Sequence, residues 1–463
     1  MRAMANGYHA ICWQPRIESA NTPCDVKDRI THRAKPRTPP LSNTVLAIMP
    51  PRPRPLMQGP RIVHAKMRWR HLAAVCGLLL LAACDHAKPP LPNDAYVWQR
   101  QWTPALASAL ADGADAVRSW RVLAAELRAD GGWFEAAPDL ATLAASQRPV
   151  VLVLRLDGRV GDLRDSDIAD RATAALAAWR QRGVTLSGLE IDYDCATSKL
   201  PAYTALLKTL KARLGADLPL SITALPTWLD SPALAALLAV PDETVLQVHA
   251  VQNPTQGLFD AGRARAWLDA YARHTGKPWR VALPSYGSRV AWDEHGRIAA
   301  VESERPALIP GGRSAELLVT PDAMAAFVAT LDRERPPGLA GIVWFRLPTR
   351  ADTRAWSLPT WRAVLARQPL APQLVVAAGS PGASGARDVR LANRGNADTA
   401  LPFTVRLDAA CGAADGINGY TLEYDREGRY LRRAQDGLLR AGAERAIGWI
   451  RCDAPTPNFH VQP

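Results

Sequence analysis

The stretch Ser187-Gly-Leu-Glu-Ile-Asp-Tyr-Asp194 alternates strictly: Glu190, Asp192 and Asp194 fall on one side, Leu189, Ile191 and Tyr193 on the other. Successive side chains of a strand leave on opposite faces, so a period of two predicts a strand with an acidic face and an apolar face. The apolar row needs a layer of helices to cover it. The acids need water, cations or a ligand, and the mouth of a barrel supplies all three.

Outward from this stretch, short apolar runs alternate with helix-period segments. The predicted strands are Tyr96 to Trp98, Trp120 to Leu123, Val150 to Leu156, Leu186 to Tyr193, Leu220 to Ala224, Val245 to Val251, Arg280 to Ser285 and Gly341 to Phe345. Amphipathic stretches such as Ile168 to Arg182, Pro201 to Leu214, Ala261 to His274 and Pro321 to Arg333 are long enough to cross back over a sheet. Eight such units predict an α/β fold, a (β/α)8 TIM-type barrel over residues 95–368. The rival, an open doubly wound sheet, ordinarily begins with a Gly-rich phosphate turn, and none follows the first strand.

Residues 371–463 change character to short alternating runs, such as Phe403-Thr-Val-Arg-Leu407 and Tyr420-Thr-Leu-Glu-Tyr424, with turn-rich gaps such as Asn393-Arg-Gly-Asn396. They predict a small C-terminal β-sandwich that caps the barrel, or alternatively a separate ligand-binding module, although no aromatic platform stands out. In an oxidising compartment Cys411 and Cys452 can form a disulfide within this segment, leaving Cys195 free.

The chain has 463 residues, 48% of them hydrophobic and 22% charged, enough for a barrel and a companion domain. Its formal charge of +12 is concentrated at the front, where residues 1–66 hold 11 basic against 3 acidic residues. From Cys84 onward there are 43 basic and 41 acidic residues, so no excess positive charge is left to track phosphates, and nucleic acid is not an expected partner.

Residues 67–84 combine a basic start, Met67-Arg-Trp-Arg70, with an apolar run from Leu72 to Leu81, too short for a stable span, and end in Leu81-Ala-Ala-Cys84. This resembles the signal peptide and lipobox of bacterial lipoproteins. The resemblance implies lipidation of Cys84, palmitate included, a membrane partner through the lipid anchor, and a cell-envelope, periplasm-facing location. By likeness to enteric lipoproteins, Asp85 favours the inner membrane. Residues 85–94, with Pro89 to Pro92, form a tether. Residues 1–66, rich in Pro and Arg, are read as an over-extended start or a disordered extension preceding Met67.

Three carboxylates about 6 to 7 Å apart along one strand repel one another when ionised, so at least one is expected to hold a proton near neutral pH, as a general acid requires. Asp192 and Asp194 form a coupled pair. The competing expectation is structural, with the acids balancing inward cations such as Arg155 or Arg346 in a buried ion network. Other inward candidates are Tyr96 and Trp98 on strand one, Arg155 and Asp157 on strand three, Gln247 and His249 on strand six, Tyr286 after strand seven, and Trp344 with Arg346 on strand eight. His249 suits a hydrogen-bonded core as well as a ligand contact, and Trp98 and Trp344 suit barrel filling as well as a sugar platform. Aromatic faces with converging polar groups suit sugar rings, which makes a polysaccharide or oligosaccharide the expected partner. Ser285 and Ser288 lie in no nucleophile elbow, and no Gly-Lys-Ser/Thr phosphate loop or metal spacing is present, so neither cofactor nor metal is implied.

The stretch 187–194 resembles the Asp-Gly-x-Asp-x-Asp-x-Glu motif on the fourth barrel strand of family 18 glycoside hydrolases. Gly188 and Asp192 match, while Ser187, Glu190 and Asp194 replace Asp, Asp and Glu. Arg280-Val-Ala-Leu-Pro-Ser-Tyr-Gly287 and Gly341-Ile-Val-Trp-Phe345 resemble that family's seventh and eighth strands. The resemblance implies that Asp194 protonates the glycosidic oxygen, that Asp192 orients the substrate's own N-acetyl group, and that Trp344 floors a sugar ring. The whole arrangement also resembles an uncharacterised bacterial lipoprotein family, domain of unknown function 3142. The expectation is a glycoside hydrolase-like envelope lipoprotein acting through Asp194, Asp192 and Glu190, with Glu190 and Asp157 as an alternative acid pair. The second expectation is a non-catalytic glycan-binding or envelope-assembly protein.

Overall fold

A computed structural model describes residues 88–249, 257–296, 298–302, 313–352, 354–453 and 456–462. The leading segment 1–66 and residues 67–84, expected to be a signal peptide, with Cys84 among them, lie outside the described residues. Among the described residues eight parallel strands follow one another around a ring: β1 Asn93–Val97, β2 Trp120–Leu127, β3 Val150–Leu156, β4 Leu186–Tyr193, β5 Leu220–Ala224, β6 Glu243–Gln247, β7 Trp279–Pro284 and β8 Leu339–Phe345. Each pairs with the next, and β1 closes the ring by pairing with both β8 and β2. The expected TIM-type barrel is present. β1 begins before Tyr96, β2 runs past Leu123, and residues 250 and 251 of the expected sixth strand lie outside the described residues.

Helices return over the strands where expected, at Asp165–Gln181, Leu200–Leu214, Ala261–Tyr271 and Pro321–Arg333. Their starts use ordinary capping chemistry: Asp260 accepts from the Arg263 amide, and Thr320 accepts from the Ala323 amide ahead of Pro321 in the first turn. Leu189, Ile191 and Tyr193 are buried beneath this layer, with the Tyr193 ring edge-on to Tyr203 at 5.1 Å. The other face of the same strand enters the lumen, beside an inner cluster that includes Tyr96, Trp98, Val153 and Val343. Period-two alternation thus separates the helix-covered layer from the lumen.

Low in the lumen is a charge network. Arg121 of β2 bonds Glu190 of β4 and Glu243 of β6, the latter at 2.6 Å, and lies 3.3 Å from Asp94 of β1. Arg280 of β7 reaches Glu243 at 2.8 Å and Asp94 at 3.5 Å. Gly341 on β8 makes room for it, because a Cβ there would collide with the Arg280 guanidinium. Burial raises the Asp94 pKa, but Arg121, Arg280 and Arg118 outweigh it and hold the carboxyl below the usual range.

Two features lie outside the simple alternation. Gly287–Trp292, Ile298–Glu302 and Arg313–Leu318 form an antiparallel sheet inserted between β7 and the helix Pro321–Arg333, with Gly287–Trp292 in the middle. Trp133–Glu135 pairs antiparallel with the last three residues of β2.

After the final barrel helix, Leu358–Leu365, the chain builds two four-stranded antiparallel sheets around Val389, Leu391, Val405, Leu431, Ile447 and Ile450. This is the expected β-rich domain. Cys411 and Cys452 are joined in a disulfide and Cys195 is free and buried. Asp398 ties the domain to the barrel: its carboxylate accepts from the amides of Ser357 and Ala441, both at 2.8 Å.

Candidate active site

Asp192 is held at the barrel mouth by three side chains. One of its oxygens accepts from Thr223 Oγ1 at 2.7 Å and Gln247 Nε2 at 3.3 Å, and the other from Arg155 Nη1 at 3.1 Å. Strands three to six therefore converge on one carboxylate, since parallel pairing brings β3, β4, β5 and β6 into register at this level.

Asp194 sits one step beyond the end of β4 with its side chain 11% exposed. Its Oδ2 lies 3.5 Å from Arg155 Nη2, and its buried Oδ1 has no hydrogen-bond partner among the described residues. Burial and the neighbouring Asp192 push the carboxyl up to about 7, with Arg155 opposing. An unpaired carboxyl oxygen with a proton near neutral pH, beside an immobilised carboxylate, is equipped to deliver that proton. Gly158, after β3, makes this placement possible, because a Cβ on it would collide with the Asp194 carbonyl oxygen. Lys199 Nζ holds the same loop by donating to the Gly158 carbonyl at 3.0 Å.

Glu190 stands apart from this pair and corrects the expectation of three acids acting together. It is fully buried, with Tyr96 Oη donating to one oxygen at 2.7 Å and Arg121 and Ser221 holding the other. Burial keeps its pKa above the usual range against the pull of Arg121 and Tyr96. With every oxygen engaged below the mouth, it is a structural ion. Tyr96 shares that correction, because its hydroxyl is committed to Glu190 and it is 2% exposed.

Asp157 is turned aside by a two-point pairing with Arg159 at 3.0 and 2.8 Å, so Glu190 and Asp157 do not form an acid pair. Trp344 is also a correction. It is completely buried on the helix side, with its indole donating to Asn93 Oδ1 at 3.0 Å and its ring 6.0 Å from Trp356. Strand alternation puts Phe345, not Trp344, toward the lumen, where it lies 5.4 Å from Trp98 and 5.3 Å from His249 in a stacked arrangement. Tyr286 closes the group, 5.4 Å from Phe345 and 5.9 Å from His249.

His249 Nε2 is buried with no hydrogen-bond partner among the described residues, and burial pulls its pKa down to about 4, so the ring is neutral at neutral pH. A neutral imidazole can meet a sugar hydroxyl or amide without carrying charge. Arg346 is buried and bound to Asp352 at 2.7 Å. Thr223, Phe345 and Glu126 were not among the sequence candidates. Inward parity on β5 marks Thr223, whereas Phe345 is set by the pairing of β8 with β1 and Glu126 by a bulge in β2 described below. No group of three or more His, Cys, Asp or Glu among the described residues is placed to hold a metal ion.

The site is thus a carboxyl pair at the C-terminal end of the fourth strand of a β/α barrel. Residues 146–350 match the family described as a domain of unknown function, DUF3142, and residues 376–453 match a second domain of unknown function, DUF8456. No curated protein matches the chain. Among solved structures, the chain is similar to the spore cortex-lytic enzyme SleL of Bacillus cereus, with 16% identity, a TM-score of 0.45, and coverage of 61% of this chain and 75% of that one. It is also similar to a chitinase of Chromobacterium violaceum, with 14% identity, a TM-score of 0.42 and coverage of 60% and 98%. A class V chitinase of Pseudomonas fluorescens shows 15% identity, a TM-score of 0.42 and coverage of 60% and 99%.

Proposed function

We propose that this protein is a glycoside hydrolase of the cell envelope, anchored to the membrane through lipidated Cys84 and acting on a polysaccharide that contains N-acetylated amino sugars. The observation that carries the proposal is Asp194, a carboxyl with one oxygen unpaired among the described residues and a pKa pushed up to about 7, beside Asp192 held by Arg155, Thr223 and Gln247. Asp194 gives its proton to the glycosidic oxygen as that bond breaks. Asp192, held in place by Arg155, Thr223 and Gln247, steadies the positive charge that develops at the sugar, through the acetamido group where one is present. Water then takes the sugar and Asp194 recovers its proton. Trp98, Phe345 and Tyr286 supply apolar faces, and His249 a neutral polar contact.

The test is reducing-end release from peptidoglycan fragments, chitin oligomers and exported polysaccharides, by the parent protein and by Asp194→Asn. Release by the parent that the substitution removes supports the proposal; equal release by both forms ends it. Anchoring has its own readout. Labelled palmitate is incorporated by the parent and lost in Cys84→Ser, and unchanged labelling would place the lipid elsewhere.

Gly158 is a positioning residue in this scheme. Gly158→Ala pushes the Asp194 backbone away, and a displacement near an ångström costs about a hundredfold in rate. The expected loss is in kcat, with glycan binding retained and the alkaline limb of the pH profile shifted. A variant with unchanged kcat and profile would remove Gly158 from the mechanism.

One observation favours a second reading, a glycan-binding protein without turnover: Arg155 contacts both carboxyl groups, and Asp194 has a shorter reach than the Glu it replaces in the resembled motif. Asp194→Glu separates the two. Hydrolysis that appears or rises with the longer acid shows a groove lacking only reach, and binding with no hydrolysis in either form supports the non-catalytic reading.

A further inference from the structure

The edge of the barrel mouth beside β2 carries positive charge that the hydrolytic scheme does not use. β2 has a bulge between Leu123 and Ala125, where its register against β3 slips. Arg121 enters the low network and Leu123 the inner cluster before the slip; after it Glu126 turns inward, its carboxylate 3.8 Å from Arg155 Nε. The chain then leaves through a tight turn at Gly131, whose φ is +83°, and returns as Trp133–Glu135.

Alternation in this short strand divides its residues. Glu135 pairs with Arg171 on the barrel helix Asp165–Gln181, and the Arg171 guanidinium lies 4.9 Å from the Trp133 ring. Phe134 goes the other way, packing against the inner cluster that contains Trp98. The guanidinium groups of Arg100 and Arg128 lie 5.3 and 5.1 Å from the Phe134 ring.

The two cations differ in their partners. Arg100 is bonded to Glu126, which continues through Arg155 to Asp192 and Asp194. Arg128 is exposed, and no carboxylate lies within ion-pair distance of it among the described residues. The nearest acidic residue in its turn, Asp130, accepts from the Gly132 amide at 2.9 Å.

We infer that Phe134, Arg100 and Arg128 form a subsite for an anionic substituent on the glycan, a carboxylate or a phosphate, at the β2 edge of the barrel mouth. The inference takes the barrel mouth as the glycan site and deepens the substrate class. The aromatic edge holds the guanidinium groups by cation–π attraction, and Arg128 presents its fork of donors to an oxyanion with no acid to displace. A neutral glycan offers these guanidinium groups hydroxyl and carbonyl acceptors but no charge to pair with, so an anionic substituent gains more here.

The experiment titrates the full-length protein in detergent with three oligosaccharides of equal length: one neutral, one bearing uronic acids and one phosphorylated. Parallel titrations use Arg128→Gln and Arg128→Glu. The expected result is about tenfold tighter binding of at least one acidic oligosaccharide than of the neutral one, the scale of a charge-assisted hydrogen bond. The preference is lost in Arg128→Gln, reversed in Arg128→Glu, and weakened by added salt in the parent. Which acidic arm binds tells carboxylate from phosphate. Equal binding of all three, or a preference unchanged in both variants, overturns the inference. Arg128 is exposed, so both variants keep the fold, which an unchanged thermal midpoint verifies. Cleavage is followed separately: acidic binding without cleavage leaves the subsite standing and removes the hydrolase reading, whereas cleavage with no acidic preference removes the subsite alone.

Discussion

Asp194→Asn is expected to lower glycan cleavage by about a hundredfold to ten-thousandfold, the range a positioned general acid contributes, while leaving binding close to that of the parent. An amide of the same shape keeps the packing but has no acidic proton to transfer. The parent's rate should also fall as pH rises through about 7, because burial and Asp192 hold the Asp194 proton to that point and each further pH unit removes about nine-tenths of the acid form. Stability supplies an independent check. The unfolded carboxyl titrates near 3.9, so raising it to about 7 in the fold means its stabilising protonation is complete below about pH 4 and lost as pH rises through about 7. Asn is neutral throughout. Relative to the parent, the variant should therefore gain in unfolding free energy between pH 4 and 7 and level off above. A rate that keeps rising past pH 8, or a pH-independent stability difference, would take the acid role from Asp194.

The largest effect on stability is expected at Arg121. Its side chain is 1% exposed and faces Glu190, Glu243 and Asp94, so Arg121→Met leaves Glu190 without an arginine partner among the described residues, Glu243 with Arg280, and Asp94 with Arg280 and Arg118. Removing one partner of a buried ion cluster costs about 3 to 5 kcal/mol, because the unmatched charge remains out of water. Denaturant midpoints measure the loss. Adding Glu190→Gln to Arg121→Met should recover part of it, since the two groups are in direct contact and a coupled pair is not additive. A double variant no more stable than Arg121→Met would mean that the network is not held together through Glu190.

This network explains why the acid triad was only partly legible. The alternation of residues 187–194 correctly separates acids from apolar residues, but it does not say how deep along the barrel axis each acid lies. Glu190 falls beside Arg121, Tyr96 and Ser221, residues 69, 94 and 31 positions away, and becomes a structural ion. Asp192 and Asp194, nearer the strand end, meet Arg155 instead. The structural and chemical expectations for these acids each describe a different part of one strand.

The eighth strand shows a similar limit. Trp344 and Phe345 are adjacent aromatics, and a run buried on both faces has no polar alternation to mark which of them looks inward. Pairing of Asn93–Ala95 with Ile342–Trp344 sets the choice, sending Trp344 to Asn93 and the helix layer and Phe345 to Trp98 and His249.

By itself the sequence determined the eight-fold barrel, the β-rich C-terminal domain and the acidic strand end, because these follow from periodicities of two and 3.6 that nearby residues carry. Only the tertiary structure decided that Asp194 keeps an oxygen with no partner among the described residues, that Glu190 is buried against Arg121, and that a bulge in β2 turns Glu126 toward Arg155. Those outcomes depend on ring closure and strand stagger, which bring residues tens to hundreds of positions apart into contact distance, and in a low-dielectric lumen the partner met there sets each group's charge and role.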